Sequence, residues 1–293
     1  MGRSRPARAP MDASESSETA GRSRGMVGGR NLPVAIAVGV VLATVFLLSL
    51  FWRVEAFTLV ILVLVCIASL EVTRVLRSVE VRVLLVPLLL GVVTSVVGGL
   101  LLGAAGQALG MAVLLVVAFL WLLTDGQRRD VTATLGVTTF FGLWIGLFAS
   151  YAPRLADRAD GAVVVLAVVG AVILTDIGGY AFGVPFGRHK VAPSVSPGKS
   201  WEGLLGGLAL ATVLAVLVLP RLEGAFTPVS AAVVALAAGA AGFVGDLVQS
   251  MVKRDLGVKD LGDVLPGHGG VLDRVDGILF ALPVGFYGLA LLA

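Results

Sequence analysis

The chain has 293 residues, of which 57% are hydrophobic and only 14% charged, with a formal net charge of +3 and a mean hydropathy of +0.99. Soluble domains contain about 45–50% apolar and about 25% charged residues, so these charges are too few to cover a water-soluble globule. One cysteine, Cys66, excludes a disulfide framework, and two histidines are too few for a conventional zinc cluster. The composition therefore indicates a membrane protein.

The first 31 residues differ from the rest of the chain. They are rich in Arg, Ser, Gly and Ala and contain almost no large apolar residues. Such a segment cannot bury enough apolar surface to fold, so residues 1–31 are predicted to form a disordered cytoplasmic tail. A signal peptide is not expected, because the apolar stretch begins only at Leu32 and lacks a clear A-x-A cleavage site.

From residue 32 onward the chain consists of long apolar runs. They exceed the length of a strand and lack alternation, which favours helices over a β-barrel. Because about 20 apolar residues cross a bilayer, residues 32–293 are predicted to form one transmembrane domain of an all-α polytopic integral membrane protein. The nine predicted transmembrane helices are 32–51, 56–70, 83–102, 104–124, 131–151, 162–182, 204–220, 228–250 and 277–293. Eight helices remain an alternative, because two runs are short and one junction is tight.

The distribution of Lys and Arg predicts the orientation of these helices. With the N-terminus in the cytoplasm, all but four of the 22 basic residues fall on the cytoplasmic side. The four on the outer side are Arg53, Arg154, Arg158 and Arg221. This bias predicts a multi-pass protein of the plasma membrane with a cytoplasmic N-terminus. The net charge of +3 then reflects topology, and nucleic acid is not an expected partner.

Many of the 38 glycines fall at a spacing of four residues in the apolar runs. In lipid, this spacing lets two helix backbones approach closely. The pairs are Gly99/Gly103, Gly106/Gly110, Gly142/Gly146 and Gly203/Gly207. Close helix packing is the interpretation of these pairs, and no chemistry is assigned to them.

Polar residues concentrate in two predicted cytoplasmic loops, 183–203 and 251–276, and in the adjoining helix ends. Asp246 lies inside an apolar helix, where an ionisable group indicates a functional site. Ser250 and Lys253 follow it at i+4 and i+7, on the same helical face. Asp273 and Asp276 stand at i and i+3 where the last span opens.

Three carboxylates from two helix ends, those of Asp246, Asp273 and Asp276, suit a hard divalent cation such as Mg²⁺. The nearby cations could hold phosphate oxygens. These cations are Lys253, Arg254, Lys259 and Arg274. His268 lies among glycines that allow a close backbone approach. An ordinary solvated loop and the ion pathway of a transporter are the alternative interpretations.

The first loop contains a partial nucleotide-binding motif. Gly198-Lys199-Ser200 matches the end of a Walker A loop, but the first glycine of that motif would fall on Pro193, and no strand is predicted before it. A P-loop is therefore rejected. Ser196, Lys199 and Ser200 are instead expected at the start of a helix, where backbone N–H groups favour an anion.

Two further acidic residues flank this anion site. Glu202 fits the first turn of the predicted helix, and a structural role explains it equally well. Asp176 lies near the inner end of its span, where a polar group in an apolar setting indicates function. Pairing with a basic residue of the loop would also explain Asp176.

The stretch from residue 250 to 276, S-M-V-K-R-D-L-G-V-K-D-L-G-D-V-L-P-G-H-G-G-V-L-D-R-V-D, resembles the signature of phosphatidate cytidylyltransferases, also called CDP-diacylglycerol synthases. The shared elements are S-x-x-K-R, K-D, P-G-H-G-G and D-R-x-D. Upstream, S-P-G-K-S-W-E-G resembles the family's S-P-x-K-[ST]-x-E-G. The resemblance covers about residues 32–293 and is strongest over 175–277.

This resemblance implies a reaction in which CTP and phosphatidate give CDP-diacylglycerol and pyrophosphate in phospholipid biosynthesis. It implies Mg²⁺, with a monovalent cation such as K⁺ as a further candidate, and a homodimer. Phosphatidate would come from the inner leaflet and CTP from the cytoplasm. Gln249 stands where the family often has Glu, so no obligatory ligand is expected there.

Residues and resemblance together give one set of predicted site residues. The predicted catalytic residues are Lys199, Lys253, Arg254, Lys259, Asp260, His268 and Arg274; the predicted substrate-binding residues are Asp176, Ser196, Ser200, Glu202 and Ser250; and the predicted metal ligands are Asp246, Asp273 and Asp276. A CTP-dependent lipid kinase and a cation-coupled transporter remain alternative functions.

Overall fold

The computed structural model describes residues 32–126, 130–222, 226–265 and 269–292. The predicted tail, residues 1–31, and His268 lie outside the described residues. Ten α-helices fall within these ranges: α1 (Leu32–Trp52), α2 (Val54–Ser78), α3 (Leu85–Leu102), α4 (Ala104–Thr124), α5 (Val131–Phe141), α6 (Tyr151–Ala156), α7 (Gly161–Phe186), α8 (Trp201–Val218), α9 (Pro228–Asp255) and α10 (Leu272–Ala290). A π-helical turn, Gly142–Leu147, continues α5, and a 3₁₀ turn, Leu219–Arg221, follows α8.

Long apolar helices dominate the fold, as the sequence predicts. In the bilayer no water can satisfy backbone N–H and C=O groups, so apolar runs become helices that satisfy them internally. Within the described ranges, seven helices are long and apolar enough to cross a membrane. The predicted count of nine spans is therefore not confirmed. In α1 the apolar stretch Ile36–Trp52 is shorter than these seven helices.

Among the described residues, one hairpin departs from the all-helical fold. Strands β1 (Lys190–Ala192) and β2 (Ser196–Ser200) form a short antiparallel hairpin between α7 and α8. A strand thus precedes Pro193, against expectation, but it pairs within a hairpin, so the rejection of a P-loop stands. Helices also extend into the ends of both predicted loops. Within these two loops, only residues 187–200 and the described parts of 256–271 are non-helical.

Helices pack closely where the sequence places small residues. A Cβ atom on Gly106 would overlap the carbonyl oxygen of Gly98, so α4 lies in backbone contact with α3. A Cβ on Gly207 would overlap the carbonyl oxygen of Thr175, which brings α8 equally close to α7. Helices α7 and α9 contact each other and both α8 and α10, and these four helices form the half of the molecule that carries the predicted site residues.

Helix α9 carries several predicted site residues, and its sequence explains both of its ends. At the start, Thr227 Oγ1 accepts the N–H of Ser230 at 3.1 Å, and Ser230 Oγ accepts the N–H of Thr227 at 2.9 Å. This capping box satisfies N–H groups that lack helical partners. At the end, Gly257 adopts a left-handed conformation with φ of 67°, which stops the helix.

Candidate functional site

An acidic cavity of about 390 Å³ opens where α7, α9 and α10 meet the segment after α9. Its lining includes five carboxylates and two cations. The carboxylates are Asp176, Asp246, Asp260, Asp273 and Asp276, and the cations are Lys253 and Arg274. The structure thus brings together all three predicted metal ligands, with an excess of negative charge.

Two glycines make this convergence possible. A Cβ atom on Gly245 would lie 2.8 Å from the carbonyl oxygen of Asp276 and 3.1 Å from Cα of Gly277. A Cβ on Gly277 would lie 2.9 Å from the carbonyl oxygen of Gly242. Because α9 and α10 touch backbone to backbone here, Asp246 and Asp276, which adjoin these glycines, face one shared space.

Two lysines offset part of the negative charge. Lys199 Nζ lies 2.5 Å from Asp246 Oδ2 and 4.2 Å from the centroid of the Phe243 ring. Lys253 Nζ lies 3.1 Å from Asp273 Oδ1. Ion pairs of this kind hold lysine ammonium groups beside the cavity, where an incoming phosphate could meet them.

Asp273 has partners on both carboxylate oxygens. Oδ1 pairs with Lys253, while Oδ2 accepts the backbone N–H groups of Leu261 at 2.9 Å and Gly270 at 3.2 Å. Its side chain is only 4% exposed. These contacts make Asp273 the residue that ties the segment after α9 to the start of α10.

The donor set fits Mg²⁺ in type but not as a preformed protein cage. Among the residues that the structure describes, no three Asp, Glu, His or Cys side chains are grouped closely enough to hold a metal ion as they stand. Mg²⁺ usually keeps several waters and binds through one or two carboxylates together with substrate phosphates. The cavity suits a Mg²⁺ ion that is bound in this way, with substrate phosphates completing its coordination.

A basic pocket of about 480 Å³ adjoins the acidic cavity. The polar side chains that line it are Ser196, Ser250, Lys253, Arg254 and Lys259. None of its described lining residues is acidic, and Lys253 lines both spaces. Arg254 Nε also lies 3.5 Å from the carbonyl oxygen of Val195, which joins the end of α9 to the hairpin. This pocket offers three cations and two hydroxyls to a phosphate chain.

The hairpin corrects the expected placement of the first anion site. Ser196 and Lys199 lie on strand β2 and not at a helix start. Ser200 is the N-cap of α8, and its Oγ accepts the N–H of Gly203 at 3.2 Å while the residue is 2% exposed. Ser200 is therefore occupied with capping the helix and lines neither the acidic cavity nor the basic pocket.

Glu202 makes structural contacts as well. Its carboxylate accepts the backbone N–H groups of Arg188 at 3.1 Å and His189 at 3.2 Å. It also pairs with Nδ1 of His189 at 2.6 Å. These bonds close the base of the hairpin, so the structural interpretation of Glu202 accounts for all of its observed contacts.

Two buried residues support the site: Gln249, from which the sequence predicted no obligatory ligand, and Glu71, which sequence reasoning missed. Gln249, 1% exposed, accepts a hydrogen bond from Lys253 Nζ at 3.0 Å and donates one to the carbonyl oxygen of Leu272 at 3.1 Å. Glu71 in α2 is 2% exposed and accepts two backbone N–H groups from the segment before α10. An ionisable residue between Leu70 and Val72 was the signal that could have revealed Glu71.

Comparisons with known proteins identify the family of this chain. A family model described as "Cytidylyltransferase family" matches residues 33–292. A phosphatidate cytidylyltransferase of Mycobacterium leprae is 37% identical over 279 residues, which cover 90% of this chain and 89% of the relative. One of Mycobacterium tuberculosis (strain ATCC 25618 / H37Rv) is 36% identical over 276 residues, covering 90% and 84%. One of Pseudomonas aeruginosa is 44% identical over 151 residues, covering 51% and 54%.

Proposed function

Because this chain belongs to the cytidylyltransferase family, we propose that it transfers the cytidylyl group of CTP to phosphatidate, giving CDP-diacylglycerol and pyrophosphate. The observation that carries the proposal is the contact between two oppositely charged spaces. A carboxylate-lined cavity suited to a metal and a cation-lined pocket suited to phosphates adjoin each other at Lys253. A reaction between a nucleoside triphosphate and a lipid phosphate needs both.

The reaction requires no protein nucleophile. An oxygen of the phosphatidate phosphate forms a bond to the α-phosphorus of CTP, and the bond from that phosphorus to the bridging oxygen of pyrophosphate breaks. Both reactants are anionic, so catalysis consists of placing them in line and neutralising their charge. The residues of this site are suited to that task, since they offer fixed cations and carboxylates.

Asp246 and Asp276 are the proposed ligands of a Mg²⁺ ion. When bound, this ion would neutralise phosphate oxygens and stabilise the departing pyrophosphate. The close packing of α9 on α10 holds the two aspartates at the cavity. Asp273, the third ligand expected from the sequence, is held by two backbone N–H groups and Lys253, and its side chain is only 4% exposed, against 37% for Asp246, so we assign it to the support of the site.

The basic pocket is the proposed site of the CTP phosphates. Lys253, Arg254 and Lys259 donate charge-assisted hydrogen bonds to phosphate oxygens, and Ser196 and Ser250 add hydroxyl donors. A volume of about 480 Å³ lies within the range of small-molecule sites. Since Lys253 also borders the acidic cavity, it would contact phosphate oxygens where the two spaces meet. This is the proposed place at which the bond to the α-phosphorus of CTP forms.

Phosphatidate is proposed to reach the acidic cavity from the inner leaflet. The cavity lining includes the apolar side chains of Val172, Ile173 and Ile278 beside the carboxylates. Ile173 is 47% exposed on α7, so this wall faces the surroundings of a membrane helix. A lipid phosphate can therefore approach the aspartates while its acyl chains remain in the bilayer.

A plasma-membrane location with a cytoplasmic N-terminus and both motif segments in the cytoplasm completes the proposal. The Lys/Arg bias supports this orientation, and the family resemblance is the support for a homodimer and for a monovalent cation. Cysteines introduced at Ser194 and Val258 in a Cys66→Ser background test the orientation. Labelling of either cysteine by an impermeant reagent outside intact cells would place the site on the wrong side for CTP.

Labelled CTP tests the reaction itself. Purified protein is mixed with phosphatidate vesicles, Mg²⁺ and CTP carrying label in either the α- or the γ-phosphate. We expect α-label in the lipid, γ-label in pyrophosphate, and no transfer when Mg²⁺ is chelated. Appearance of γ-label in the lipid would identify a lipid kinase instead. Absence of both labels from the lipid would contradict a transferase and leave the transporter alternative.

A further inference from the structure

Glu71 contacts the segment between α9 and α10 although it lies about 190 residues earlier, on α2. Its Oε1 accepts the N–H of Val264 at 2.9 Å and its Oε2 accepts the N–H of Val271 at 2.7 Å. Hydrogen bonds to a charged acceptor are about twice as strong as neutral ones. An ionisable side chain within an apolar membrane helix is costly, so its presence here indicates a function.

Asp273 binds the same segment through a second pair of backbone N–H groups. It accepts the N–H groups of Leu261 and Gly270, so two carboxylates together bind four backbone N–H groups of one segment. The segment folds back on itself between them, since the N–H of Leu265 donates to the carbonyl oxygen of Gly269 at 2.9 Å.

Two glycines show how tightly this arrangement is packed. A Cβ atom on Gly262 would lie 2.6 Å and 2.7 Å from the two carboxylate oxygens of Glu71. A Cβ on Gly270 would lie 2.7 Å from Cα of Gly262. The two ends of the segment therefore touch each other directly beside the Glu71 carboxylate, and no side chain fits between them.

We propose that Glu71 is a positioning residue, which fixes the segment after α9 so that Lys259 and Asp260 face the basic pocket and the acidic cavity. Glu71 lines neither space, and none of their described lining residues comes from α1 to α6. Glu71 is thus a contact by which the N-terminal half of the chain reaches the segment that carries Lys259 and Asp260. The expected effect of Glu71 on catalysis rests on the proposed function. Its expected effect on the conformation of the segment rests on the contacts alone.

Kinetics of Glu71→Gln test the catalytic consequence. Gln keeps the volume but replaces one acceptor oxygen with an N–H₂ group that opposes a backbone N–H. We expect kcat per folded protein to fall about tenfold or more, as the loss of a charge-assisted hydrogen bond implies. Glu55→Gln, on the first turn of the same helix, is the matched control and should retain its rate. Equal rates in the two variants would overturn the proposal.

Hydrogen exchange separates this inference from the proposed reaction. In Glu71→Gln we expect faster exchange in peptides covering Leu261–Leu265 and Gly269–Leu272, with unchanged exchange in α3 and α4. This readout needs no activity, so it remains decisive even if the wild-type protein transfers no label. Unchanged exchange in both peptides would overturn the anchoring role, whatever the activity.

A double substitution guards against simple misfolding. Gly262→Ala should be severe in the wild-type protein because its methyl group would collide with the Glu71 carboxylate. In a Glu71→Ala background that carboxylate is absent, so adding Gly262→Ala should cost much less. Strong non-additivity in activity and exchange is the expected result, since the two residues are in contact. Additive losses would show that Glu71 and Gly262 act independently and would overturn the proposal.

Discussion

The acidic cavity and the basic pocket share Lys253, yet the chain builds them in different ways. Four of the cavity's five carboxylates stand on three helices, two of which touch backbone to backbone, and the fifth, Asp260, lies on the segment after α9. The other cations of the pocket, Arg254 and Lys259, lie exposed at the end of α9 and on the segment that follows. Coordination of a metal requires oxygens in fixed positions, whereas attraction between cations and phosphates tolerates movement. The difference supports the proposal that the reacting centre lies in the cavity and that the pocket provides affinity for the nucleotide.

Lys253→Met should have the largest effect, because Lys253 belongs to both spaces. Met keeps the length of the side chain but removes the ion pair with Asp273 and one cation of the proposed phosphate site. We expect transfer of α-label to fall by about 10³. Lys190→Met, on the exposed strand β1, is the control and should stay within about twofold. Similar rates in the two variants would remove Lys253 from the site.

Asp276→Asn tests the cavity alone. The change removes one negative charge from the proposed metal site while keeping size and hydrogen bonding. Transfer should fall by about 10²–10³, and excess Mg²⁺ should partly restore it. Asp157→Asn, at the exposed end of α6, should change the rate by less than about twofold. Near-full activity of Asp276→Asn at low Mg²⁺ would contradict the metal assignment.

Asp273→Asn tests whether Asp273 supports the cavity or binds the metal. Because both carboxylate oxygens already accept bonds from protein donors, we expect a loss of about 10² that excess Mg²⁺ does not restore. Faster hydrogen exchange at Leu261 and Gly270 should accompany it. Restoration of the rate by Mg²⁺, with unchanged exchange, would return Asp273 to the metal ligands.

Lys259→Met tests the pocket alone and should have the smallest effect. One exposed cation of three is lost, so KM for CTP should rise about tenfold while kcat changes by less than about twofold. Saturation kinetics at fixed phosphatidate measure both values. A fall in kcat with unchanged KM would place Lys259 at the reacting centre. It would contradict the proposal that the pocket and the cavity have separate roles.

Local spacing predicted the core of this site. Asp246 and Lys253 lie on one helical face, and Asp273 and Asp276 stand three residues apart, so periodicity alone groups them. Contacts across long separations escaped prediction. Glu202 closes a hairpin that composition does not reveal, and Glu71 reaches its partners only because α2 packs beside the segment before α10. Neither contact follows from the spacing of residues along the chain.

Binding of Mn²⁺ as a paramagnetic substitute for Mg²⁺ tests the central claim most directly. Electron paramagnetic resonance would count bound Mn²⁺ on the purified protein with and without CTP. Two carboxylates plus substrate phosphates predict weak binding alone, tighter binding with CTP, and loss of both in the Asp246→Asn/Asp276→Asn double variant. Lys259→Met should keep the binding seen without CTP. Unchanged Mn²⁺ binding in the double variant would contradict the assignment of the metal to the acidic cavity.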